Sequence, residues 1–195
     1  MPVLKSRFLP WAGLLLFLCA CSGPHYFDLQ TEVPEYRGHG RIDKTLRVDG
    51  VGINQTYLDS RIVSRESPFQ VTYAAFSAWS KNPEEMIQDA VIRFWRQRAF
   101  FKRVAAYEDA AEPDWTMKIR IEAIEKILVA RKWHARLALD IEIVDSRNDD
   151  VLLSHSFDRK TSLDGKKNRL LPGRISRILH DELMKIEARL LAREW

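Results

Sequence analysis

The stretch that decides the fold reads WTMKIRIE at residues 115–122, and WHARLALDIEI follows at residues 133–143. In both segments apolar and polar residues alternate, which is the period of a strand with one buried and one exposed face. Residues 145–150 have turn composition, and residues 151–157 continue the alternation more loosely. The pattern predicts an antiparallel sheet that is covered on one side.

Two amphipathic helices are predicted, one before and one after these strands in the chain. Residues 82–85 read NPEE, which places Asn at the cap, Pro in the first turn and Glu three residues after the Asn. Apolar residues recur at helical spacing from Met86 to Trp95, and a second apolar stripe runs from Ile175 to Leu190. The predicted fold class is α+β, a mixed and largely antiparallel sheet with both helices packed on one face.

The part of the chain before the first helix is predicted to add shorter strands. A strand is expected near Tyr26, followed by a polar loop over residues 31–44 with one Pro and two Gly. Residues 45–54 indicate a strand interrupted by two glycines, which favours a bulge or a close backbone approach. Residues 61–66 and 69–75 indicate two short strands around a Ser-Pro turn.

The N-terminal residues have the three parts of an export signal. Lys5 and Arg7 come first, an apolar run follows up to Leu18, and small residues precede Cys21. The apolar run is well short of the roughly 20 residues that a spanning helix needs. Residues 1–20 are therefore predicted to be a cleaved signal peptide.

The ending Leu18-Cys19-Ala20-Cys21 resembles a bacterial lipobox, which predicts Cys21 as the lipidated N-terminus of the mature protein. The alternative is a soluble secreted protein that is cut near Ala20. Three acyl chains, at about 0.8 kcal/mol for each buried CH₂, would make the attachment effectively permanent. Apart from these covalent acyl chains on Cys21, no cofactor is predicted.

Cleavage leaves residues 21–195, which are 195 − 20 = 175 residues, and these are predicted to form a single periplasmic domain. Ser22, rather than Asp, follows the lipidated cysteine, which indicates the periplasmic face of the outer membrane. The 31 basic and 27 acidic residues are mixed along the chain, so nucleic acid is not a predicted partner.

No catalytic or metal-binding pattern is evident. Ser154, His155 and Asp158 could be assembled into a triad, but the G-x-S-x-G turn of such nucleophiles is absent, and His155 is expected to pair with the backbone. The five histidines contain no HxH or HxxxH pair. Three acidic pairs have structural explanations. Glu84-Glu85 is attributed to a helix N-terminus, Asp149-Asp150 to a turn, and Asp181-Glu182 to a solvated helix face. The chain is not predicted to be an enzyme.

Two aromatic stretches allow a functional and a structural interpretation. Residues 93–103 combine arginines and lysine with aromatic residues, which could contact anionic lipid headgroups. The favoured interpretation is a helix with Phe94 and Trp95 in the core and solvated arginines outside. A second set is likewise expected to pack rather than to bind a ligand: Phe69, Tyr73, Phe76 and Trp79.

Several short motifs occur in a characteristic order after the lipobox. They are Tyr26-Phe27-Asp28-Leu29, Tyr57-Leu58-Asp59, Arg61-Ile62-Val63-Ser64-Arg65, and Tyr73 with Trp79 ahead of the first helix. This order resembles the ABC-type transport auxiliary lipoprotein family. Residues 136–145 and 151–157 are similar to the penultimate hairpin of that family.

The resemblance implies a function through protein contact. Members of the family accompany MCE-type systems that carry lipid between membranes, so the expected partner is a periplasmic MCE-domain protein and the chain is expected to form a homo-oligomer. The alternatives are a structural lipoprotein of a secretion or envelope-assembly machine and an envelope hydrolase. The residues expected to dock the partner are Tyr57, Leu58, Asp59, Arg65 and Trp79.

Overall fold

The structure, a computed structural model, describes residues 23–30, 42–109 and 112–193. Within these ranges the chain forms one mixed eight-stranded sheet and two α-helices, which confirms the predicted α+β class. In chain order the elements are β1 (His25–Phe27), β2 (Ile42–Ile53), β3 (Arg61–Ser67), β4 (Gln70–Trp79), α1 (Pro83–Arg98), β5 (Phe101–Ala105), β6 (Trp115–Val129), β7 (Lys132–Asp145), β8 (Val151–Ser162) and α2 (Leu171–Leu191).

Strand β6 organises the sheet because both of its edges are paired. On one edge β7 runs antiparallel to it over its whole length, and β8 pairs antiparallel with β7. On the other edge β2 pairs in parallel with residues 115–121, and β3 pairs in parallel with Lys126 and Ile127. β5 continues the sheet beyond β2, while β4 and β1 continue it beyond β3. The longest pairings are antiparallel, as the alternating pattern predicts.

A β-bulge in the middle of β6 changes which residues face the core. Ile121 lies opposite Leu139, but Ala123 lies opposite Ala138, so Glu122 is the extra residue. Glu125 consequently lies opposite Arg136, on the sheet face away from the buried Leu137. The bulge explains how a glutamate in an otherwise apolar segment reaches the second face of the sheet.

Both helices cover the same face, as predicted. α1 packs against β2 and β5, and α2 packs against β7 and β8. The two helices also touch each other: Arg98 Nη2 of α1 lies 2.5 Å from Glu187 Oε1 of α2, and the rings of Phe94 and His180 meet edge to face at 5.8 Å. A buried aromatic group lies beneath α1, made of Trp95, Phe100, Phe101 and Trp115.

The first helix begins where the NPEE sequence predicts and ends before the basic and aromatic stretch does. Glu84 and Glu85 lie in its first turn, where their charges favour the helix N-terminus. Ala99 terminates the helix in a left-handed conformation at φ 49°. The segment that follows, Phe101–Ala105, is β5, a strand that the sequence analysis did not predict. Phe94 and Trp95 are fully buried, which confirms their interpretation as core residues.

Several boundaries differ from those predicted. β2 begins at Ile42, so residues 42–44 are strand instead of loop, while residues 31–41 lie outside the described residues. β4 extends to Trp79 because the chain there pairs with β1. Cys21 and the signal peptide also lie outside the described residues. In the part of the chain that is described, neither helix is long and apolar enough to cross a membrane.

Candidate functional site

The Tyr57-Leu58-Asp59 segment follows β2 and starts as a single turn of 3-10 helix. Asn54 caps this turn, its Oδ1 accepting a hydrogen bond from the Thr56 amide at 3.1 Å. Tyr57 points inward and is only 3% exposed, whereas Leu58 is 52% exposed. The three adjacent residues therefore have different roles, with Tyr57 in the interior and Leu58 at the surface.

Tyr57 ends at a carboxylate that is completely buried on the second face of the sheet. Its hydroxyl donates to Glu125 Oε2 at 2.8 Å. Arg65 Nε donates to the same carboxylate at 3.0 and 3.2 Å, and Arg136 Nη1 donates to it at 2.8 Å. Arg136 also holds Asp158 through two bonds of 2.9 Å. Glu125 is thus paired and hydrogen-bonded, as a buried charge must be.

The electrostatics of this network follow from burial and charge. Burial, followed by the negative charge of Glu125, raises the pKa of Tyr57 to about 12, so the phenol keeps its proton and remains a donor. Hydrogen bonds to Asp158 above all, and to Glu125, raise the pKa of Arg136. The network joins the turn after β2 to β3, β6, β7 and β8 and can hold that turn in place. It is a structural device rather than an exposed site.

Asp59 lies on the surface and fixes the start of β3. Its Oδ1 accepts the Arg61 amide and its Oδ2 accepts Arg61 Nε, each at 2.8 Å. The hydrogen bonds from the Arg61 side chain and then from its amide lower the pKa of Asp59. The Arg61 guanidinium in turn lies over the Tyr73 ring, 4.7 Å from its centroid.

Trp79 lies at the end of β4 and is 1% exposed. Its amide donates to the Ser60 carbonyl at 2.7 Å. Among the five residues expected to dock a partner, Trp79 and Tyr57 therefore present no side-chain surface, and this part of the prediction is corrected. Arg65 is about a quarter exposed and is bound to Glu125. Only Leu58 and Asp59 remain well exposed as docking candidates.

Aromatic residues of the β3–β4 hairpin were expected to pack, and three of them do not. Phe69, in the hairpin turn, is 98% exposed, Phe76 is 68% exposed and Tyr73 is 41% exposed. The Tyr73 hydroxyl donates to the Thr56 carbonyl at 3.2 Å, which ties the hairpin to the turn that carries Leu58. We call Leu58, Phe69, Tyr73 and Phe76 together the hairpin surface. These large exposed side chains are spread along the hairpin and are the candidates for contact with another protein.

The direction of β1 sets the side from which the chain enters the sheet. β1 runs parallel to β4, with His25 opposite Ser77 and Phe27 opposite Trp79. The chain before His25 therefore enters from the side of the sheet on which the hairpin turn lies. Gly23 and Pro24 are exposed.

The residues considered for catalysis do not converge. In β8, Ser154 lies opposite Glu142 and His155 opposite Ile141, so these neighbours point to opposite faces of the sheet. Asp158 is engaged by Arg136. His155 Nε2 lies 2.8 Å from Glu182 Oε2 of α2, so its partner is a carboxylate and not the backbone group that was expected.

Glu182 itself is a correction to the sequence analysis, because it is 2% exposed and does not lie on a solvated helix face. Burial raises its pKa, but hydrogen bonds from Lys185, Arg159 and His155 outweigh that effect and lower the pKa to about 2. Glu182 is therefore an ionised carboxylate that joins α2 to β8. Over the described ranges, no three or more His, Cys, Asp or Glu residues cluster in a way that could hold a metal ion.

Sequence reasoning missed Glu125, Arg136 and Glu182 as members of buried networks. A glutamate directly after Ile124, within a strand, is a signal of a paired buried charge, but its partners come from β3, from β7 and from the turn after β2. The alternation of β6 without its bulge would place Glu125 on the same face as Ile121. The bulge cannot be predicted from the local pattern of apolar and polar residues.

Solved structures with a similar fold come from several bacteria. Protein XCC0632 from Xanthomonas campestris, described as a member of family DUF330, superposes with a TM-score of 0.77 at 15% identity over 86% of this chain and 95% of that chain. The hypothetical protein CT253 from Chlamydia trachomatis gives a TM-score of 0.53 at 7% identity, with 77% and 99% coverage. At these identities the likeness establishes the fold. A comparison with curated protein sequences gives no match.

The family itself is established by sequence. Residues 27–177 match the model of the ABC-type transport auxiliary lipoprotein component. The matched range begins at the last residue of β1 and ends in α2, so it includes β2 to β8. The resemblance inferred from the order of short motifs is thereby confirmed. The chain belongs to the ABC-type transport auxiliary lipoprotein family.

Proposed function

We propose that this lipoprotein is an auxiliary subunit of an MCE-type intermembrane lipid transport system, that it is anchored at the periplasmic face of the outer membrane, and that it acts by contact with its partner. The observation that carries the proposal is the family match over residues 27–177. An auxiliary component of a transport system works through other proteins. The partner is a periplasmic MCE-domain protein.

The short tether supports a role close to the membrane. Four Cα-to-Cα steps separate Cys21 from His25 at the start of β1. At no more than about 3.6 Å for each step, the acylated residue lies within roughly 14 Å of the sheet. The domain is therefore held against its bilayer and cannot reach across the periplasm. A partner assembly has to come to it.

The hairpin surface supports docking by contact. It combines the exposed Phe69 in the hairpin turn with the exposed Leu58 and the charged pair of Asp59 and Arg61 at the other end of β3. Apolar groups surrounded by polar ones are the usual composition of protein interfaces. Because the hairpin surface lies beside the anchored end of the chain, an MCE-domain protein that binds there is brought to the bilayer.

Self-association is part of the same proposal. Among the described strands, β8 has a hydrogen-bonded neighbour on one edge only, so its twelve residues can pair with a second chain. Several copies side by side would give a partner a larger docking platform. Light scattering of the purified mature protein measures the number of copies.

The experiment for the proposed function is affinity capture from detergent-solubilised envelopes with the tagged, acylated protein. The proposal expects an MCE-domain protein encoded near this gene to be recovered, and to be lost when Phe69 is replaced by Ser. Recovery of secretion or envelope-assembly components without an MCE-domain protein would favour the alternative function. Capture that the Phe69 replacement does not change would exclude the hairpin surface as the docking site.

A further inference from the structure

A cavity of about 580 Å³ opens between β1 and the segment that leads into α2. Four basic residues line it, Lys126, Lys166, Lys167 and Arg169, together with His25 and Phe27 of β1. The volume is in the range of small-molecule sites in proteins. No part of the network around Glu125 or of the hairpin surface contributes to the lining.

The innermost cation is Lys126, which is only 3% exposed. Its Nζ donates to the Asn168 Oδ1 at 2.6 Å and to the Lys166 carbonyl at 3.0 Å, and it lies over the Trp133 ring at 4.7 Å. These partners are neutral. Burial and then the charge of Lys166 lower the pKa of Lys126, and the negative charge of Glu66 offsets them only in part.

Little negative charge balances the cavity. Among the described residues, the ion pair that reaches its lining is Lys166 with Glu66, at 3.9 Å between two largely exposed side chains. A pair of this kind is screened by water and contributes little. The cavity also lies just before the N-terminus of the 21-residue helix α2, whose dipole adds positive potential. An anion in the cavity would be stabilised by every one of these groups.

The cavity is close to the membrane because β1 forms one of its walls. His25, which lines it, is four residues from Cys21 and thus within roughly 14 Å of the acylated residue. The half-buried Phe27 gives the wall an apolar part. An anion with an attached apolar group, found at a bilayer surface, matches both the charge and the position of the cavity.

We infer that this cavity binds the phosphate group of an anionic phospholipid headgroup from the membrane that holds the anchor. Lys126 contacts the phosphate at the inner end of the cavity, and Lys166 and Lys167 contact it at the rim. The inference relies on the membrane-anchored location in the proposed function and adds a lipid-binding site to it. It gives an auxiliary subunit of a lipid transport system a direct contact with lipid.

The test is native mass spectrometry of the acylated mature protein in detergent, with added phosphatidylglycerol, phosphatidylcholine or inorganic phosphate. The wild-type protein is expected to retain phosphatidylglycerol in preference to phosphatidylcholine, and inorganic phosphate is expected to compete. The double variant Lys166→Gln, Lys167→Gln should lose about tenfold or more in affinity for phosphatidylglycerol, because it removes two cations near the headgroup. Both side chains are at the rim, so the fold should be unaffected.

A matched control removes the same charge elsewhere. The double variant Lys102→Gln, Lys118→Gln changes two exposed lysines away from the cavity and should bind phosphatidylglycerol as the wild type does. Lys126→Gln tests the innermost position and should also weaken binding. Equal retention of the two lipids, or an equal loss in both double variants, would overturn the inference. Binding of inorganic phosphate without any preference for phosphatidylglycerol would overturn the assignment to lipid.

The two proposals can fail separately. Failure to capture an MCE-domain protein, with phosphatidylglycerol binding intact, would count against the proposed function and leave the cavity as a headgroup site. Normal capture of the MCE-domain protein with no phosphatidylglycerol binding would count against the headgroup site and leave the proposed function in place.

Discussion

The hydroxyl of Tyr57 donates a 2.8 Å hydrogen bond to the buried carboxylate of Glu125, 68 residues further along the chain. The bond fixes the short turn after β2 to β6, just beyond the bulge of that strand. This turn carries Leu58 and Asp59 at the surface. Tyr57, which the sequence suggests as a docking residue, thus acts by positioning its neighbours.

The network around Glu125 is expected to contribute strongly to stability. Replacing Glu125 with Ala leaves Arg65 and Arg136 without their shared carboxylate. Breaking a buried pair costs about 3–5 kcal/mol, and we expect about 3 kcal/mol in the free energy of unfolding, because water can reach the two arginines. Urea denaturation followed by circular dichroism measures the change.

Glu122 offers the control for this replacement. It lies three residues away, is partly exposed and pairs with Arg120 at the surface. Glu122→Ala should change the free energy of unfolding by less than about 1 kcal/mol. Equal losses in the two variants would show that the Glu125 network does not stabilise the fold.

The ion pair between Arg98 and Glu187 is expected to join the two helices. Both side chains are buried, and the Nε to Oε2 and Nη2 to Oε1 distances are 2.9 and 2.5 Å. Replacing either residue alone with Met should destabilise the fold by about 3 kcal/mol or more, because the other charge stays buried. The double replacement should recover much of that loss, and additive losses in the double-mutant cycle would contradict the pairing.

Glu182 predicts a pH dependence of stability. Its pKa in the folded protein is about 2, below the ordinary value of 4.5, so between these values the unfolded chain binds more protons. The contribution of Glu182 is therefore complete above about pH 5 and decreases as the pH falls towards 2, by an amount on the order of 2 kcal/mol. Denaturation midpoints across this range should fall less steeply for Glu182→Gln than for the wild type. Parallel curves would contradict the assignment.

The hairpin surface predicts a separation of binding from stability. Phe69 is almost fully exposed, so Phe69→Ser should change the free energy of unfolding by no more than about 0.5 kcal/mol. Capture of the MCE-domain partner should nevertheless be abolished. Tyr107, which is 61% exposed outside the hairpin, provides the control, and Tyr107→Ser should leave capture unchanged. An equal effect of both replacements would indicate a general loss of surface hydrophobicity.

The elements with a clear period could be predicted from the sequence. The alternation over residues 115–122 and 133–143 gave the long antiparallel pair, because a sheet covered on one face imposes a period of two. The NPEE cap at residues 82–85 and the apolar stripe of α2 gave the two helices. In each of these segments the local pattern and the tertiary environment favour the same structure.

The remaining features depend on contacts that no local pattern contains. β5 is only five residues long and follows the helix directly, so its aromatic residues were attributed to the helical stretch. Glu125 changes face through a bulge, and Glu182 is buried by partners from β8. Phe69 and Phe76 are exposed although isolated aromatic residues usually pack, because the hairpin extends beyond the area that the helices cover.

The lipid anchor at Cys21 is the central claim, since the location, the short tether and the headgroup site all depend on it. Intact-mass spectrometry of the mature protein purified from envelopes tests it most directly. We expect a chain that begins at Cys21 and carries three acyl chains there, one of them on the α-amino group, and a Cys21→Ala variant without these chains that no longer sediments with membranes. A mature chain with a free Cys21 thiol, or one that begins at another residue, would contradict the account.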